Sequence, residues 1–332
     1  MAKTLMAVDA GTGSVRAVLF SLEGEQLGCV QQEWTHKEDP RYPGSMDFDW
    51  VHNWDLARGC IRGVIEQTGV DPHDIAAVST TCMREGIVLY DKDGQEIWAC
   101  ANVDARSDDE VAQLVHMNPE LEKQIYRESG QTYALGALPR LFWVKNKMPE
   151  VYEKTAVCTM FNDWLIYKMT GVFSSEPSNA CTTGIFDLKA RDWDDKIAAS
   201  IGLKTGIFPK ISECGTVVAK VGAKGAAETG LAEGTPVVAG GGDAPLHFRL
   251  QKRGVCKAEA QLGCVGVGVV DANQAAIFGG SFWQYEYNTD EAKTDEHCRV
   301  RVNCHSVPGI WQYEALAFKP GMVMRWYRDA FC

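Results

Sequence analysis

No run of apolar residues in this chain approaches the roughly 20 that a membrane-spanning helix needs. The N-terminal patch Leu5-Met6-Ala7-Val8 is cut short by Asp9, too early for a signal-peptide core. The expectation is a cytoplasmic protein without a membrane partner. An excess of positive charge is lacking too: 33 Lys+Arg stand against 44 Asp+Glu, a formal net charge of −11. The basic footprint of a nucleic-acid binder is therefore missing, and an anionic ligand has to be held by backbone N–H groups or a metal ion. The 12 cysteines are scattered singly with no C-x-x-C pair, so they read as reduced, buried small hydrophobes and not as a disulfide framework. His297-Cys298 and Cys304-His305 flank a stretch that reads as a strand, where alternation sends neighbours to opposite faces, so no metal site is expected there. Also absent are G-x-x-x-x-G-K-S/T and a G-x-G-x-x-G that opens a helix after a strand, which removes the main support for P-loop and dinucleotide-binding folds.

What is present is enough apolar material for a sizeable core, 45% hydrophobic residues over 332 positions. Residues 4–9, 15–21 and 28–34 read as three successive strands separated by the glycine turns at Gly11-Thr12-Gly13 and Glu23-Gly24. The spacing of Val51, Trp54, Ile61, Val64 and Ile65 predicts a helix ending at Gly69. A buried strand over 75–81 follows, then a hairpin, 86–90 and 96–101, around Asp91-Lys92-Asp93-Gly94. Helical patterns dominate 107–235, among them 107–117, 139–147, 161–169 and 192–201, with strands at 156–160 and 236–240. The order β-β-β-α-β and then mostly α is what an α/β domain of ribonuclease-H type gives. A second strand meander resembling the first is expected after residue 260, with strands at 299–307 and 311–317, before a helix opens at Pro320.

Three glycine motifs carry chemistry. In Asp9-Ala10-Gly11-Thr12-Gly13-Ser14 the glycines let the backbone curl so that successive N–H groups converge. Thr12 and Ser14 add hydroxyl donors, and the Asp9 carboxylate suits a hydrated Mg²⁺. This is a phosphate cradle without a lysine, or else a plain Asp/Gly hairpin turn. Gly240-Gly241-Gly242-Asp243 puts a carboxylate at a strand end, suited to accept an alcohol proton while phosphate transfers, or again a turn aspartate. Gly279-Gly280-Ser281 is a second-lobe turn that, facing the first, would clamp the other end of a triphosphate. Between them Arg84, Glu85, Asn102, Asp104 and Arg106 end strands. They read either as recognition of a hydroxylated small molecule, since each hydroxyl donates and accepts, or as surface ion pairs. Trp98, Trp164 and Trp193 read as core.

Taken in order, Asp9 to Ser14, Asp163-Trp164-Leu165 with Met169-Thr170-Gly171, Gly240 to Asp243 and Gly279-Gly280-Ser281-Phe282 resemble the FGGY carbohydrate kinases. The resemblance implies an actin-like ATPase fold of two ribonuclease-H-like domains, the first complete and the second partial. It also implies ATP with Mg²⁺ and phosphoryl transfer to a sugar or polyol hydroxyl. By position, Asp243 would be the catalytic base, Asp9 and Asp243 would hold Mg²⁺ partly through water, and Gly11, Thr12, Gly13, Ser14, Gly279, Gly280 and Ser281 would hold phosphates. Met83, Arg84, Glu85, Asn102, Asp104 and Arg106 would line the substrate pocket. The segments Met83 to Tyr90, Trp98 to Arg106, Pro177-Ser178-Asn179-Ala180 and Met324 to Phe331 are similar to one branch of the family. Its implied substrate is the linear dihydroxy-pentanedione form of the quorum signal autoinducer-2, phosphorylated on its terminal hydroxyl. Another pentulose or polyol kinase, and a non-catalytic ligand-binding remnant, stand as alternatives.

The implied organisation is a substrate- and phosphate-binding domain over 1–244 and part of an ATP-binding domain over 261–332. The intervening 245–260 carries Arg249, Lys252, Arg253 and Lys257 against Glu259 and reads as an insertion. The chain is shorter than the family's usual length, and the family's adenine-binding glycine-rich loop falls in the part not present.

Overall fold

The computed structural model describes residues 3–133, 136–242, 264–279, 283–317 and 320–331. Three antiparallel strands, β1 (Thr4–Ala10), β2 (Ser14–Ser21) and β3 (Gln26–Glu33), open the chain where the apolar runs predict them. Period-two alternation sorts β1: Met6, Val8 and Ala10 enter the main core while Ala7 faces a smaller cluster on the other side. Helix α1 (Trp50–Thr68) starts at Asp49, whose carboxylate accepts from the His52 N–H at 3.0 Å, and stops at Gly69, left-handed at φ 64°. Its Trp54, Ala57, Ile61 and Val64 are buried, whereas Val51 is exposed. Strand β4 (Ile75–Cys82) returns parallel to β1. The hairpin of β5 (Ile87–Tyr90) and β6 (Glu96–Cys100) turns where the Asp91 carboxylate accepts from the N–H groups of Asp93 and Gln95, each at 2.9 Å.

Helices α2 (Asp108–Met117), α3 (Leu121–Ser129), α4 (Ala137–Lys147) and α5 (Pro149–Lys154) follow, then β7 (Val157–Thr159), which joins β5 and β6 in a three-stranded sheet. After α6 (Phe161–Thr170) and the short α7 (Pro177–Ala180) come β8 (Phe186–Asp187) and β9 (Asp192–Trp193). The helix expected from residue 192 begins only at Asp195, as α8 (Asp195–Ser200). The Trp193 indole is tied to the Pro209 carbonyl at 2.6 Å and the Asp194 carboxylate caps the Lys196 N–H, so the first residues pair as a strand instead. Strand β10 (Val217–Lys220), helix α9 (Ala223–Thr229) and strand β11 (Pro236–Gly242) complete a six-stranded sheet of order β10-β11-β4-β1-β2-β3, in which β1, β4 and β11 run parallel. This is the expected α/β topology. Helices α1 and α6 share one core, where Trp54 and Trp164 meet edge to face at 6.0 Å. Burying each such ring stabilises the layer by roughly 1.5–3 kcal/mol.

The second sheet departs from the expected meander. Strands β12 (Ala275–Gly279), β13 (Trp283–Thr289), β14 (Arg301–Cys304) and β15 (Trp311–Ala317) are all antiparallel, but their order is β12-β13-β15-β14. The strand expected over 299–307 spans only Arg301–Cys304, preceded by Cys298 at a left-handed φ of 53°. Val302 and Cys304 of β14 bury against Ala180, Cys181, Phe186 and Leu188 of the first lobe, and Trp311 of β15 packs there too, its indole N–H donating to the Leu188 carbonyl at 2.8 Å, so β14 and β15 together join the lobes. A last helix spans Pro320–Phe331. The inserted segment 245–260 lies outside the described residues.

Candidate active site

The carboxyl ends of β1, β4 and β11 lie side by side, with Asp9 opposite Thr81 and Thr81 opposite Gly241 in the sheet register. In parallel α/β sheets ligands bind at this edge. It is where the first and second glycine motifs meet.

Strand alternation turns Asp9 away from the α1/α6 core, and it is buried there beside its cross-strand neighbour Arg16, whose Nε donates to Oδ2 at 2.7 Å. The adjoining turn is organised by two residues that composition and spacing do not reveal. The Trp34 indole N–H donates to the carbonyls of Gly11 and Thr12 at 3.0 and 3.2 Å, and His36 Nε2 meets the Thr12 carbonyl at 2.7 Å. The backbone N–H of Trp34 takes the Gly13 carbonyl at 3.1 Å. Because a trans peptide sets its N–H opposite its C=O, carbonyls drawn toward Trp34 and His36 leave the Thr12 and Gly13 N–H groups facing the other way. Burial lowers the pKa of His36 although the Thr12 carbonyl opposes it, so near neutral pH the imidazole donates as a neutral ring. A Cβ added at Gly13 would meet nothing within 4 Å, so the turn is open on that side. Neither Gly11 nor Gly13 has a positive φ, so the curl comes from these carbonyl contacts and not from left-handed glycines.

A hydrated Mg²⁺ takes one or two carboxylates plus phosphate oxygens and waters. Asp9, beside an open turn with free-facing N–H groups, fits such an ion; its donor set is too small for a protein cage. The end of β11 is pinned from both sides: Thr81 Oγ1 donates to the Gly241 carbonyl at 2.9 Å, and the Gly242 N–H donates to Ser178 Oγ at 2.9 Å. Ser178 in turn donates to Glu176 at 2.7 Å. Asp243, Gly280 and Ser281 lie outside the described residues, whereas Gly279 ends β12.

The expected substrate residues take different directions. Asn102 is half-buried, and its Nδ2 donates to Thr12 Oγ1 at 3.0 Å, which links this loop to the phosphate turn. Met83 is fully buried in the main core, and its N–H bonds the Ala10 carbonyl. Asp104 anchors a neighbouring loop through the Met46 N–H at 2.6 Å and pairs with Arg106 at 2.7 Å. The Arg106 side chain is stacked over Trp98 and Trp143 and joined to Asp47, where it walls a cavity of about 380 Å³. Arg84 and Glu85 face the second lobe. Arg84 makes a two-pronged ion pair with Glu314 at 2.6 and 2.9 Å, and Glu85, left-handed at φ 73°, pairs with Arg301 at 2.7 Å. Such a non-glycine conformation costs on the order of 1–3 kcal/mol and persists only where its surroundings fix it. Part of that surrounding is Arg140 at the start of α4, fully buried, whose guanidinium donates to the carbonyls of Glu85, Asn102 and Asp104. Arg140, Arg301 and Glu314, which hold these candidate residues, carry no sequence signal, since each lies in an ordinary helix or strand pattern.

Residues 4–247 match the family model described as the FGGY family of carbohydrate kinases, N-terminal domain. The chain is 46% identical over 329 residues to the autoinducer-2 kinase of Klebsiella pneumoniae subsp. pneumoniae, covering 99% of this chain and 59% of that one. The autoinducer-2 kinase of Escherichia coli strain SMS-3-5 / SECEC is 47% identical over the same shares. The chain thus spans about three-fifths of the length of these relatives. Among solved structures, a xylulose kinase from Rhodospirillum rubrum superposes with a TM-score of 0.84 at 22% identity, over 98% of this chain and 62% of that one. Plasmodium falciparum glycerol kinase with ADP gives 0.83 at 16% identity, over 99% and 64%. At such identities these likenesses speak for the fold, an actin-like ATPase fold.

Proposed function

The chain belongs to the FGGY family of carbohydrate kinases, and on that premise we propose that it binds a small sugar-like molecule and transfers a phosphoryl group from ATP to its terminal hydroxyl. The substrate proposed is linear dihydroxy-pentanedione, because 46–47% identity runs over nearly the whole chain to relatives named for autoinducer-2. The observation that carries the chemistry is the convergence of the Asp9 turn and the Gly240–Gly242 strand end on one sheet edge.

In this mechanism the Thr12 and Gly13 N–H groups and the Thr12 and Ser14 hydroxyls receive phosphate oxygens. Asp9 and Asp243 would hold Mg²⁺, partly through water, and the ion would neutralise charge that builds on the phosphates. Asp243, next in sequence after the pinned Gly242, accepts the proton of the attacking hydroxyl. Arg84 and Glu85 offer a donor and an acceptor to neighbouring oxygens of the substrate. Gly279, Gly280 and Ser281 hold the far phosphates. The division into a domain of residues 1–244, an insertion of 245–260 and a partial ATP-binding domain of 261–332 goes with this reading. A product that carries phosphate charge stays where it is made, in keeping with a role in processing a diffusible signal.

A second reading is a ligand binder without turnover. Calorimetric titration with dihydroxy-pentanedione, with and without Mg-ATP, separates the two. A kinase binds the ligand and shows heat of its own with nucleotide. Ligand binding with no response to Mg-ATP supports the second reading, and preference for D-xylulose would move the substrate to another pentulose.

A further inference from the structure

Six side chains close a ring across the two lobes. Arg84 is bonded by Glu314, whose Oε2 also accepts from Asn303 Nδ2 at 2.7 Å. The Asn303 amide oxygen accepts from Gln131 Nε2 at 3.0 Å. The Gln131 oxygen accepts from Arg301 Nε and a terminal guanidinium nitrogen at 2.8 and 2.6 Å, and Arg301 reaches Glu85 at 2.7 Å. Glu85 follows Arg84 in the chain, so the ring is complete. Three members, Arg84, Glu85 and Gln131, belong to the first lobe, and three, Arg301, Asn303 and Glu314, stand on the paired strands β14 and β15. Arg84, Glu85, Gln131, Asn303 and Glu314 are buried.

The ring's charges cancel, two guanidinium groups against two carboxylates. Buried pairs of this kind stabilise little relative to an apolar core, because desolvation offsets most of the attraction, while geometry is fixed tightly. Glu314 takes two of the five N–H donors on Arg84 and locks the plane of the fork, which leaves the rest aimed. Arg301 forms a close ion pair with the Glu85 carboxylate, which rises from a strained backbone.

From this geometry we infer that Glu314 and Arg301 are positioning residues: the second lobe sets the orientation in which Arg84 and Glu85 receive the substrate's oxygens. The inference rests on the reading of Arg84 and Glu85 as substrate residues. It assigns β14 and β15 a part in recognising the sugar-like ligand, apart from any part in binding nucleotide.

The test is titration of the full chain with dihydroxy-pentanedione, comparing the wild type with Glu314→Gln, Arg301→Gln and Arg301→Lys. Side-chain NMR of the arginine Nε–H groups is recorded on each, and thermal melting serves as a check of folding. Losing a charge-assisted bond of this type is worth roughly ten-fold or more in affinity. The expected result is ten-fold or more weaker binding by folded Glu314→Gln and Arg301→Gln, partial recovery in Arg301→Lys, and a freely rotating Arg84 guanidinium in Glu314→Gln. Where Glu314→Gln fails to fold, the Arg301 pair decides by the same criterion. Wild-type binding that every variant keeps overturns the positioning role and leaves the substrate reading intact. Tighter binding by Glu314→Gln overturns it too, since Glu314 would then compete with the ligand. A wild type that binds no dihydroxy-pentanedione overturns the substrate reading, and the inference with it.

Discussion

Trp34 holds the Gly11 and Thr12 carbonyls from outside the turn that they belong to. Trp34→Phe keeps the ring in the core and removes only the indole N–H, so the turn loses its main restraint while the sheet remains. At about 1 kcal/mol for the bond lost, ATP affinity measured by titration should fall roughly five-fold with little change in melting temperature. Glu286 offers a second residue-scale test. It is fully buried opposite Glu314, and neither carboxylate oxygen has a hydrogen-bond partner. Burial first, and the Glu314 charge second, push its carboxyl well above the usual range, against the pull of Arg84 and Arg301. A carboxyl raised by folding contributes stability that is intact below its unfolded-chain pKa and is lost as pH climbs toward the folded one. Between about pH 5 and about pH 8 the wild type should therefore lose more melting temperature than Glu286→Gln does. Asp163 and Glu176, also raised by burial, keep part of the slope in the variant. Equal slopes in the two proteins would contradict this account of Glu286.

At the scale of elements, β11 shows a fit that tolerates no side chain. A Cβ at Gly240 would stand 1.5 Å from the Thr80 carbonyl oxygen, which is backbone and cannot yield cheaply. Gly240→Ala should separate β11 from β4 and destabilise the chain by about 1–3 kcal/mol or more, read by denaturant unfolding. A neutral result would mean that the two strands are not packed this closely. The strands and long helices of the first lobe were legible in the sequence because each carries its own period and its own stop, as α1 does with Asp49 and Gly69. The glycine motifs were legible for the same reason, being local. What escaped was set by distant partners. The Trp193 indole, held by Pro209, delayed α8, and the order β13-β15-β14 goes with packing of β14 and β15 against the distant first lobe. Arg140, 55 residues from Glu85, is likewise invisible to any local pattern.

For the molecule as a whole, a net charge of −11 means that the long-range field gives no help in holding anionic phosphates, and on the proposed reading oriented N–H groups and a metal ion would meet them. The two lobes meet at a mixed surface, apolar at Val302 and Cys304 and charged at Arg301 and Glu314. On the proposed reading, the sheet edge that carries Asp9 is the place of reaction. The central claim, that this edge performs phosphoryl transfer, is tested most directly by turnover of labelled Mg-ATP with dihydroxy-pentanedione on the 332-residue chain, beside its Asp243→Asn variant. A general base contributes about 10²–10⁴-fold. The account predicts labelled product from the wild type and a loss of at least ~100-fold in the variant. No product from the wild type, or equal product from both, would contradict it.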